Sequence, residues 1–374
     1  MLSFNHLSFW EKSTYFNEND FVIVGSGIVG LSTSIYLKNK FPRSKVLILE
    51  RGYLPTGAST KNAGFACFGS PTELYDDLQS IPENNVWDTF EMRFQGLKAL
   101  FELVNPTSVD YDNCGSWDLI ENSISDLPSD FLDYLNENAK RITKTNQVYS
   151  KDNSIMECFG FSNIQSSYKN CLEGSLNTGK LIHELYKTAI SCDVNVLFGI
   201  ELLDYQISAD KAILETNYGE ISTSNLIICT NGFANKLIGD RVKPARAQVL
   251  VTKPIPDLKI RGTFHLDRGY YYFRNIGDRI LLGGGRNLDF EGESTEDIST
   301  TNLIQNKLNE LLQKTILPYQ DFEIDYSWAG IMGVGSEKGP IIEKMNNHVA
   351  IGVRMGGMGV AIGSDVGKKL ANLF

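Results

Sequence analysis

Short apolar runs and helix-spaced apolar stripes alternate near the start of the chain. The run Phe21–Val24 has strand character, and the spacing of apolar residues over Ile28–Lys40 predicts a helix that ends near Pro42. A second apolar run, Lys45–Leu49, predicts another strand. The order strand, helix, strand is typical of a βαβ unit in a parallel sheet.

Three glycines separate the first strand from the helix in the spacing G-x-G-x-x-G. Gly25 allows the tight turn, Gly27 lets the backbone approach a pyrophosphate at the helix N-terminus, and Gly30 lets helix and strand pack closely. Glu50 follows twenty residues after Gly30, where a carboxylate accepts hydrogen bonds from a ribose. The pattern predicts a dinucleotide site and leaves NAD and FAD open. A glycine-rich turn without a ligand is the alternative.

The remaining pattern predicts two kinds of structure in alternation. Helices are expected over residues 87–104, 131–145 and 299–315, and antiparallel strands between residues 246 and 290. The C-terminus predicts a strand, a glycine-rich turn and a final helix. We therefore expect an α/β protein, α+β overall, in which a Rossmann-like nucleotide-binding domain is built from discontinuous segments and an antiparallel-sheet substrate domain is inserted. The expected bounds are 15–85, 150–245 and 328–374 for the first domain, and 86–149 and 246–327 for the second.

Composition removes several classes of protein. The 374 residues suffice for two domains, and a net charge of −10 argues against nucleic acid as the main partner. No apolar stretch is long enough for a signal peptide or a transmembrane helix. Six scattered cysteines suit a reducing cytoplasm, four distant histidines show no metal-ligand spacing, and no G-x-S-x-G elbow appears. We expect a cytoplasmic protein without a metal site.

Several stretches together resemble the FAD-dependent oxidoreductases of the D-amino-acid oxidase superfamily, which includes glycine oxidase and sarcosine oxidase. They occur in the family's order, cover nearly the whole chain, and favour FAD over NAD. The stretches are VIVGSGIVG (22–30), GASTKNAG (57–64), EGSLNTGKLI (173–182), IICTNGFANKL (227–237), VKPARAQVLVT (242–252), GYYYFR (269–274), ILLGGG (280–285) and GVRMGGMGVAIG (352–363).

The resemblance implies which residues contact FAD. In the family the GAS-x-x-NAG loop follows the pyrophosphate and the flavin, and backbone amides of the C-terminal glycine turn face the flavin pyrimidine, where they stabilise negative charge. The implied contacts are Gly25, Ser26, Gly27, Ile28, Val29, Gly30, Glu50, Arg51, Ser59, Thr60, Lys61, Asn62, Ala63, Gly64, Leu202, Thr230, Asn231, Gly232, Gly356, Gly357, Met358 and Gly359.

Two departures from the family concern the flavin. Sarcosine oxidases attach it through a cysteine near the segment that here reads SWAGIMGVGSEKGP, which contains no cysteine. Non-covalent FAD is therefore expected. The sarcosine-oxidase lysine that promotes reaction with oxygen would align near Leu281, so the electron acceptor is left open between oxygen and a quinone.

The substrate site is expected on the strand GYYYFR, where alternation places Tyr270, Tyr272 and Arg274 on one face. The resemblance implies that Tyr270 and Arg354 bind a substrate carboxylate, which a guanidinium grips in a bidentate way. Arg246 and Arg274 are rivals for this role. The alternatives are an aromatic sheet face in the core and a surface or phosphate-facing arginine.

These features imply a flavoprotein that oxidises a small amino acid or N-substituted amino acid by hydride transfer to flavin, giving an imine. No dedicated general base is needed if the amine arrives neutral, and no His–Asp pair stands out. The alternatives are a FAD-dependent 2-hydroxy-acid dehydrogenase of the same fold, an NAD-dependent dehydrogenase, and a non-enzymatic flavin-binding module.

Overall fold

The computed structural model describes residues 4–208 and 210–374, and its strands form two large sheets and a small one. The strands are β1 (Asn19–Val24), β2 (Val46–Glu50), β3 (Phe65–Ala66), β4 (Ser116–Glu121), β5 (Tyr149–Lys151), β6 (Ile164–Asn170), β7 (Gly174–Ser175), β8 (Val194–Phe198), β9 (Leu202–Ile207), β10 (Ala212–Thr216), β11 (Gly219–Ile228), β12 (Lys243–Thr252), β13 (Thr263–Leu266), β14 (Tyr271–Ile276), β15 (Arg279–Gly284), β16 (Ile324–Val334), β17 (Ile341–Lys344) and β18 (Val349–Val353). The helices are α1 (Phe9–Glu11), α2 (Ile28–Lys40), α3 (Ala58–Lys61), α4 (Pro71–Ser80), α5 (Glu83–Leu103), α6 (Phe131–Thr143), α7 (Ser154–Phe159), α8 (Thr178–Ser191), α9 (Asn235–Ile238), α10 (Asn302–Leu311) and α11 (Gly359–Ala371).

The first sheet has the strand order β17-β18-β11-β1-β2-β8, with β10 and β9 continuing from β11. Its central strands β18, β11, β1, β2 and β8 are parallel. All five positions of β2 are buried, because apolar side chains cover both faces of the sheet. Helices α2, α5, α8 and α11 pack together on one face. The predicted βαβ unit and α/β class are confirmed.

The second sheet has the order β16-β12-β15-β14-β13-β4-β6-β5. Neighbouring strands within this sheet are antiparallel, except that β4 and β13 pair in parallel. One face forms a core with α10 that includes Phe264, Phe273 and Leu308. On the opposite face, Val249 and Leu281 pack with Ala63 from the segment after α3. That face of the second sheet therefore meets the first domain.

The sheets do not divide at the predicted segment boundaries. Strands β5 and β6 belong to the second sheet, although 150–245 was expected in the nucleotide domain. Strand β16 also belongs to the second sheet and crosses the expected boundary at 328. The polar sequence of β6, IQSSYKN, carries no apolar alternation, and its position follows from pairing with β4.

All six cysteines lie in the described residues and carry free thiols. Cys67 and Cys229 are buried, whereas Cys158 and Cys171 are exposed. In residues 4–208 and 210–374, every helix is too short or too polar to cross a membrane.

Candidate active site

A cavity of about 610 Å³ lies between the carboxyl ends of three parallel strands and the inner face of the second sheet. Residues directly after β1, β2 and β11 line one side, and residues of β12, β14 and β16 line the other. The carboxyl edge of a parallel sheet is the usual ligand position in open α/β folds. The volume is within the range of small-molecule sites.

The glycine turn after β1 places the N-terminus of α2 at this cavity. Gly25 has φ +100°, a conformation that favours glycine, and its N–H donates to the Leu49 carbonyl at 2.8 Å. A Cβ atom on Gly27 would lie 2.7 Å from the Ser59 hydroxyl oxygen, which accepts from the Ile28 N–H at 3.1 Å. Gly27, Ile28 and Val29 line the cavity, so the positive end of a 13-residue helix faces it.

Glu50 lines the cavity and also fixes the glycine turn. One carboxylate oxygen accepts from the Ser26 N–H at 3.0 Å and the Ser26 hydroxyl at 2.8 Å, and the other accepts from the Gly52 N–H at 3.0 Å. A carboxylate offers about four acceptor positions, so one is left for a ribose hydroxyl. Ser26, an expected cofactor contact, is instead turned toward Glu50 and away from the lining.

The loop after β2 brings Ser59, Lys61, Asn62 and Ala63 to the cavity. Its other two expected contacts lie outside the lining. Thr60 donates its hydroxyl to the Pro55 carbonyl at 2.6 Å, which holds the turn before α3. Gly64 accepts at its carbonyl from the Arg274 guanidinium and the Leu176 N–H, and its N–H donates to Asn62.

Asn231 joins the segment after β11 to the C-terminal glycine turn. Its side-chain oxygen accepts from the N–H groups of Arg354 and Met355, each at 3.1 Å. The hydroxyl of the neighbouring Thr230 is buried and has no protein partner, as expected for a group that a ligand satisfies. Gly232 lies outside the lining, where a Cβ atom would meet the Met332 carbonyl.

The turn that follows β18 contributes a second helix N-terminus. Gly356, Gly357, Met358 and Gly359 all line the cavity, as does Leu202 at the start of β9. The 13-residue helix α11 begins at Gly359. Its amides can stabilise negative charge in the cavity. Of the remaining expected contacts, Arg51 lines the cavity, whereas Gly30 packs on the Gly25 carbonyl and supports the turn.

Two tyrosines and a histidine form the second-sheet wall. Tyr270 precedes β14 and is 39% exposed, whereas Tyr272 lies within the strand, where burial raises the pKa of its phenol to about 12. His265 packs edge-on against Phe65 at 5.3 Å. Burial lowers the pKa of His265 to about 4, and its buried Nε2 has no hydrogen-bond partner. Tyr272 and His265 are therefore neutral at neutral pH.

The three arginines proposed for the substrate carboxylate lie outside the cavity lining. Arg354 donates from Nε to the Gly339 carbonyl at 2.8 Å and pairs with Glu337 at 3.1 Å. Arg246 forms a buried ion pair with Glu293 at 2.8 Å. Arg274 shares the face of Tyr272, but its Nη1 donates to two backbone carbonyls. The expectation that Arg354 binds substrate therefore needs correction, because its guanidinium is committed to the 337–339 loop.

Arg286 and Arg268 line the cavity and were not anticipated from the sequence. Arg268 pairs with Asp76 and Asp267, each at 3.3 Å. Arg286 has no salt-bridge partner among the described residues, and its Nε is buried without a hydrogen bond. Its guanidinium lies 4.9 Å from the Phe290 ring centre. The one sequence signal for Arg286 is that it directly follows ILLGGG (280–285), one of the stretches that resemble the family.

The fold and the cavity define a dinucleotide-binding protein with a second sheet over the cofactor site. The family model described as FAD dependent oxidoreductase matches residues 20–373, so the chain belongs to that family of enzymes. No curated protein matched the sequence.

Solved structures share the fold at low identity. L-proline dehydrogenase from P. horikoshii has a TM-score of 0.75 and 17% identity, covering 95% of this chain and 93% of that one. Glycine oxidase from Bacillus cereus has a TM-score of 0.72 and 15% identity, covering 95% and 94%. Iminodiacetate oxidase from Chelativorans sp. has a TM-score of 0.73 and 17% identity, covering 94% of each.

The cavity residues fit FAD, the cofactor of this family. Two helix N-termini face the cavity, at Ile28 and Gly359, and suit groups that carry negative charge. Glu50 retains an acceptor position, and the Thr230 hydroxyl lacks a partner. Ala63, Gly356, Gly357 and Gly359 also line the cavity, and side chains this small would let a backbone approach a flat ring.

Proposed function

We propose that this enzyme oxidises a small amino acid or an N-substituted amino acid to the corresponding imine. The observation that supports the proposal is the guanidinium of Arg286 on the cavity wall, without a carboxylate partner among the described residues. Arg286 is half-buried, so its guanidinium has lost part of its hydration without gaining a counter-ion, and a substrate carboxylate would supply that counter-ion.

Arg286 is suited to this role by its surroundings. It follows a turn in which Gly284 and Gly285 have φ +122° and +81°, so the backbone leaves β15 sharply at the cavity. Burial lowers the pKa of Arg286, with Tyr270 and Glu293 acting in the opposite direction. Arginine starts from so high a pKa that the side chain stays charged at neutral pH. Tyr270 lines the same cavity and supplies a second donor for the carboxylate.

The wall opposite the glycine turns is neutral and aromatic. Tyr272 and Phe65 have ring centres 5.6 Å apart, and Ala63 and Val249 pack beside them. A neutral amine loses little solvation on entering such a surface, whereas a charged ammonium loses much. The wall therefore favours the neutral amine and keeps water from it.

FAD, when bound, supplies the acceptor for the two electrons and the hydrogen that leave the substrate carbon. The chain's own residues hold the carboxylate, orient the amine and exclude water. The buried thiols of Cys67 and Cys229 line the cavity, and burial raises the pKa of both, to about 12 for Cys229. Protonated thiols are poor nucleophiles, so the proposal includes non-covalent FAD. The six free thiols suit a reducing compartment such as the cytoplasm.

The experiment is an anaerobic screen of amino acids, N-methyl amino acids, polyamines and 2-hydroxy acids, with the flavin absorbance as the readout. Bleaching by an amino acid or N-substituted amino acid is expected. Bleaching by 2-hydroxy acids alone would replace the proposal with the hydroxy-acid alternative. A flavin that no compound in the panel bleaches would contradict both.

A further inference from the structure

Cys67, Glu173 and His265 come from three distant parts of the chain and meet beside the cavity. One potential ligand atom of each lies within 4.8 Å of the other two. The antiparallel pair β3–β7 places Cys67 near Glu173, and β13 brings His265 to the same place. Cys67 and His265 line the cavity. Spacing along the chain gave no sign of this group, because it depends on tertiary structure.

Two of the three side chains have unused bonding capacity. The Cys67 thiol lies 3.8 Å from the Gly174 carbonyl and also interacts with the side chains of Glu173 and Thr263. The Nε2 atom of His265 is buried and has no partner. A buried ring nitrogen without a hydrogen bond is costly, so the fold retains it most readily where a ligand supplies the missing contact.

Glu173 is held rigidly and still has room for one ligand. One of its oxygens accepts from the N–H groups of Phe68 at 2.6 Å and Gly69 at 2.8 Å, and the other accepts from the Ser116 hydroxyl. With about four acceptor positions on a carboxylate, one remains on the second oxygen, which the Cys67 thiol can use when no ion is bound. Such surrounding donors orient ligand carboxylates in metal sites.

We propose that Cys67, Glu173 and His265 bind a divalent cation of the zinc class. A set of sulfur, nitrogen and oxygen donors suits Zn²⁺, whereas Mg²⁺ and Ca²⁺ prefer oxygen alone. Tetrahedral Zn²⁺ bond lengths place ligand atoms about 3.3–3.6 Å apart, so separations of up to 4.8 Å need to shorten by at most about 1.5 Å. The fourth position faces the cavity.

Binding requires the Cys67 thiol to lose its proton to solvent, so about one proton is released for each ion bound. An ion here would lie on the same wall as Tyr272, since His265 and Tyr272 are register partners on β13 and β14. If this wall binds the substrate, as the proposed function states, the bound ion would obstruct the substrate. The binding itself does not depend on that function.

The test is a Zn²⁺ titration of the FAD-loaded protein, freed of metal by dialysis, in competition with a chromophoric chelator. Wild type is compared with two single variants of the site, Cys67→Ser and His265→Gln. The control is one double variant, Cys158→Ser with His183→Gln, which changes the same residue types at exposed positions. One ion per chain is expected for wild type and control, with affinity lowered at least about tenfold in each site variant. Circular dichroism and retained flavin colour establish that each variant is folded, and Cys67→Ala replaces Cys67→Ser if that variant does not fold.

Equal Zn²⁺ affinity in wild type and both site variants would overturn the proposal. Loss of binding in the surface control alone would also overturn it. Because the readout is metal binding, either result leaves the oxidation of amino acids untouched. A protein that binds Zn²⁺ as expected but whose flavin no amino acid bleaches would contradict only the proposed function.

Discussion

Arg274 donates its guanidinium Nη1 to the Gly64 carbonyl at 2.9 Å. The same atom donates to the Leu176 carbonyl at 2.9 Å. These bonds join β14 of the second sheet to the loop that lines the cofactor side of the cavity. An arginine that sequence alone offers as a carboxylate ligand thus supports the wall behind Tyr272, whereas Arg286 lines the cavity and has no salt-bridge partner among the described residues.

Replacing Arg286 by methionine removes that cation while preserving apolar volume. We expect kcat/KM for carboxylate-bearing substrates to fall about 10²–10³-fold, because the substrate carboxylate loses its ionic partner in a site removed from water. Amines without a carboxylate should be little affected. Anaerobic flavin-reduction kinetics on wild type and variant measure both effects.

Arg354→Met is the matched comparison, since it removes the same charge from a guanidinium directed at Glu337 and Gly339. It should leave kcat/KM for carboxylate substrates within a few-fold of wild type. If Arg354→Met abolishes this activity and Arg286→Met does not, the assignment of the substrate arginine is reversed.

Gly27→Ala tests the cofactor turn. The new Cβ would lie 2.7 Å from the Ser59 hydroxyl oxygen, so Ser59 must move away from the Ile28 N–H, and the backbone surface offered to the pyrophosphate is lost. We expect the Kd for FAD to rise at least about tenfold, equivalent to about 1.4 kcal/mol. Titration of apoprotein with FAD provides the measurement.

Gly179→Ala serves as the control for that substitution. Gly179 is exposed on α8, and its added Cβ would meet only the Asn177 side-chain oxygen at an ordinary 3.4 Å. Its FAD affinity should equal that of wild type. An unchanged Kd in Gly27→Ala would show that the turn does not approach the cofactor.

Acid precipitation should release the yellow colour into the supernatant. The cysteines on the cavity wall, Cys67 and Cys229, are buried thiols with a raised pKa, which disfavours their reaction with the flavin ring. The flavin absorbance of supernatant and pellet after precipitation distinguishes non-covalent from covalent FAD. Colour that stays with the pellet would indicate a covalent bond.

Asp118 should make stability fall as pH rises. Burial raises the pKa of this carboxyl to about 7, while one oxygen accepts from the Thr72 N–H at 2.7 Å and the other has no partner. The unfolded pKa is about 3.9, so the folded state holds the proton more tightly. The associated stability is present below about pH 4, declines between about pH 4 and 7, and is absent above that range.

Asp118→Asn removes this titration. Wild type loses stability between about pH 5 and about pH 8, whereas the variant does not. The free energy of unfolding of the variant minus that of wild type should therefore increase by about 2–3 kcal/mol over this range. Chemical denaturation at the two pH values measures it, with Asp88→Asn on the exposed face of α5 as the control. A constant difference across this range would mean that Asp118 is ionised throughout.

Local features of the chain were predictable because each depends on neighbours in sequence. The apolar runs of β1 and β2 and the helix that starts at Ile28 follow from the period of apolar residues and from turn chemistry. Tyr270 was expected within a strand. It instead follows the turn Asp267–Gly269, in which Asp267 and Arg268 have positive φ.

The role of each arginine could not be predicted, because it depends on partners far along the chain. Arg246 finds Glu293, and Arg274 finds Gly64, across 47 and 210 positions of sequence. The absence of a partner at Arg286, among the described residues, is likewise a tertiary property. The meeting of Cys67 with His265 has the same origin.

The most direct test of the account mixes the yellow protein anaerobically with one substrate from the screen, without added nicotinamide. We predict that the flavin bleaches fully and that one equivalent of imine hydrolysis product, an oxo acid with ammonia or an alkylamine, forms per flavin. A flavin that remains oxidised with every amino acid and N-substituted amino acid, in protein that retains stoichiometric FAD, would contradict the account.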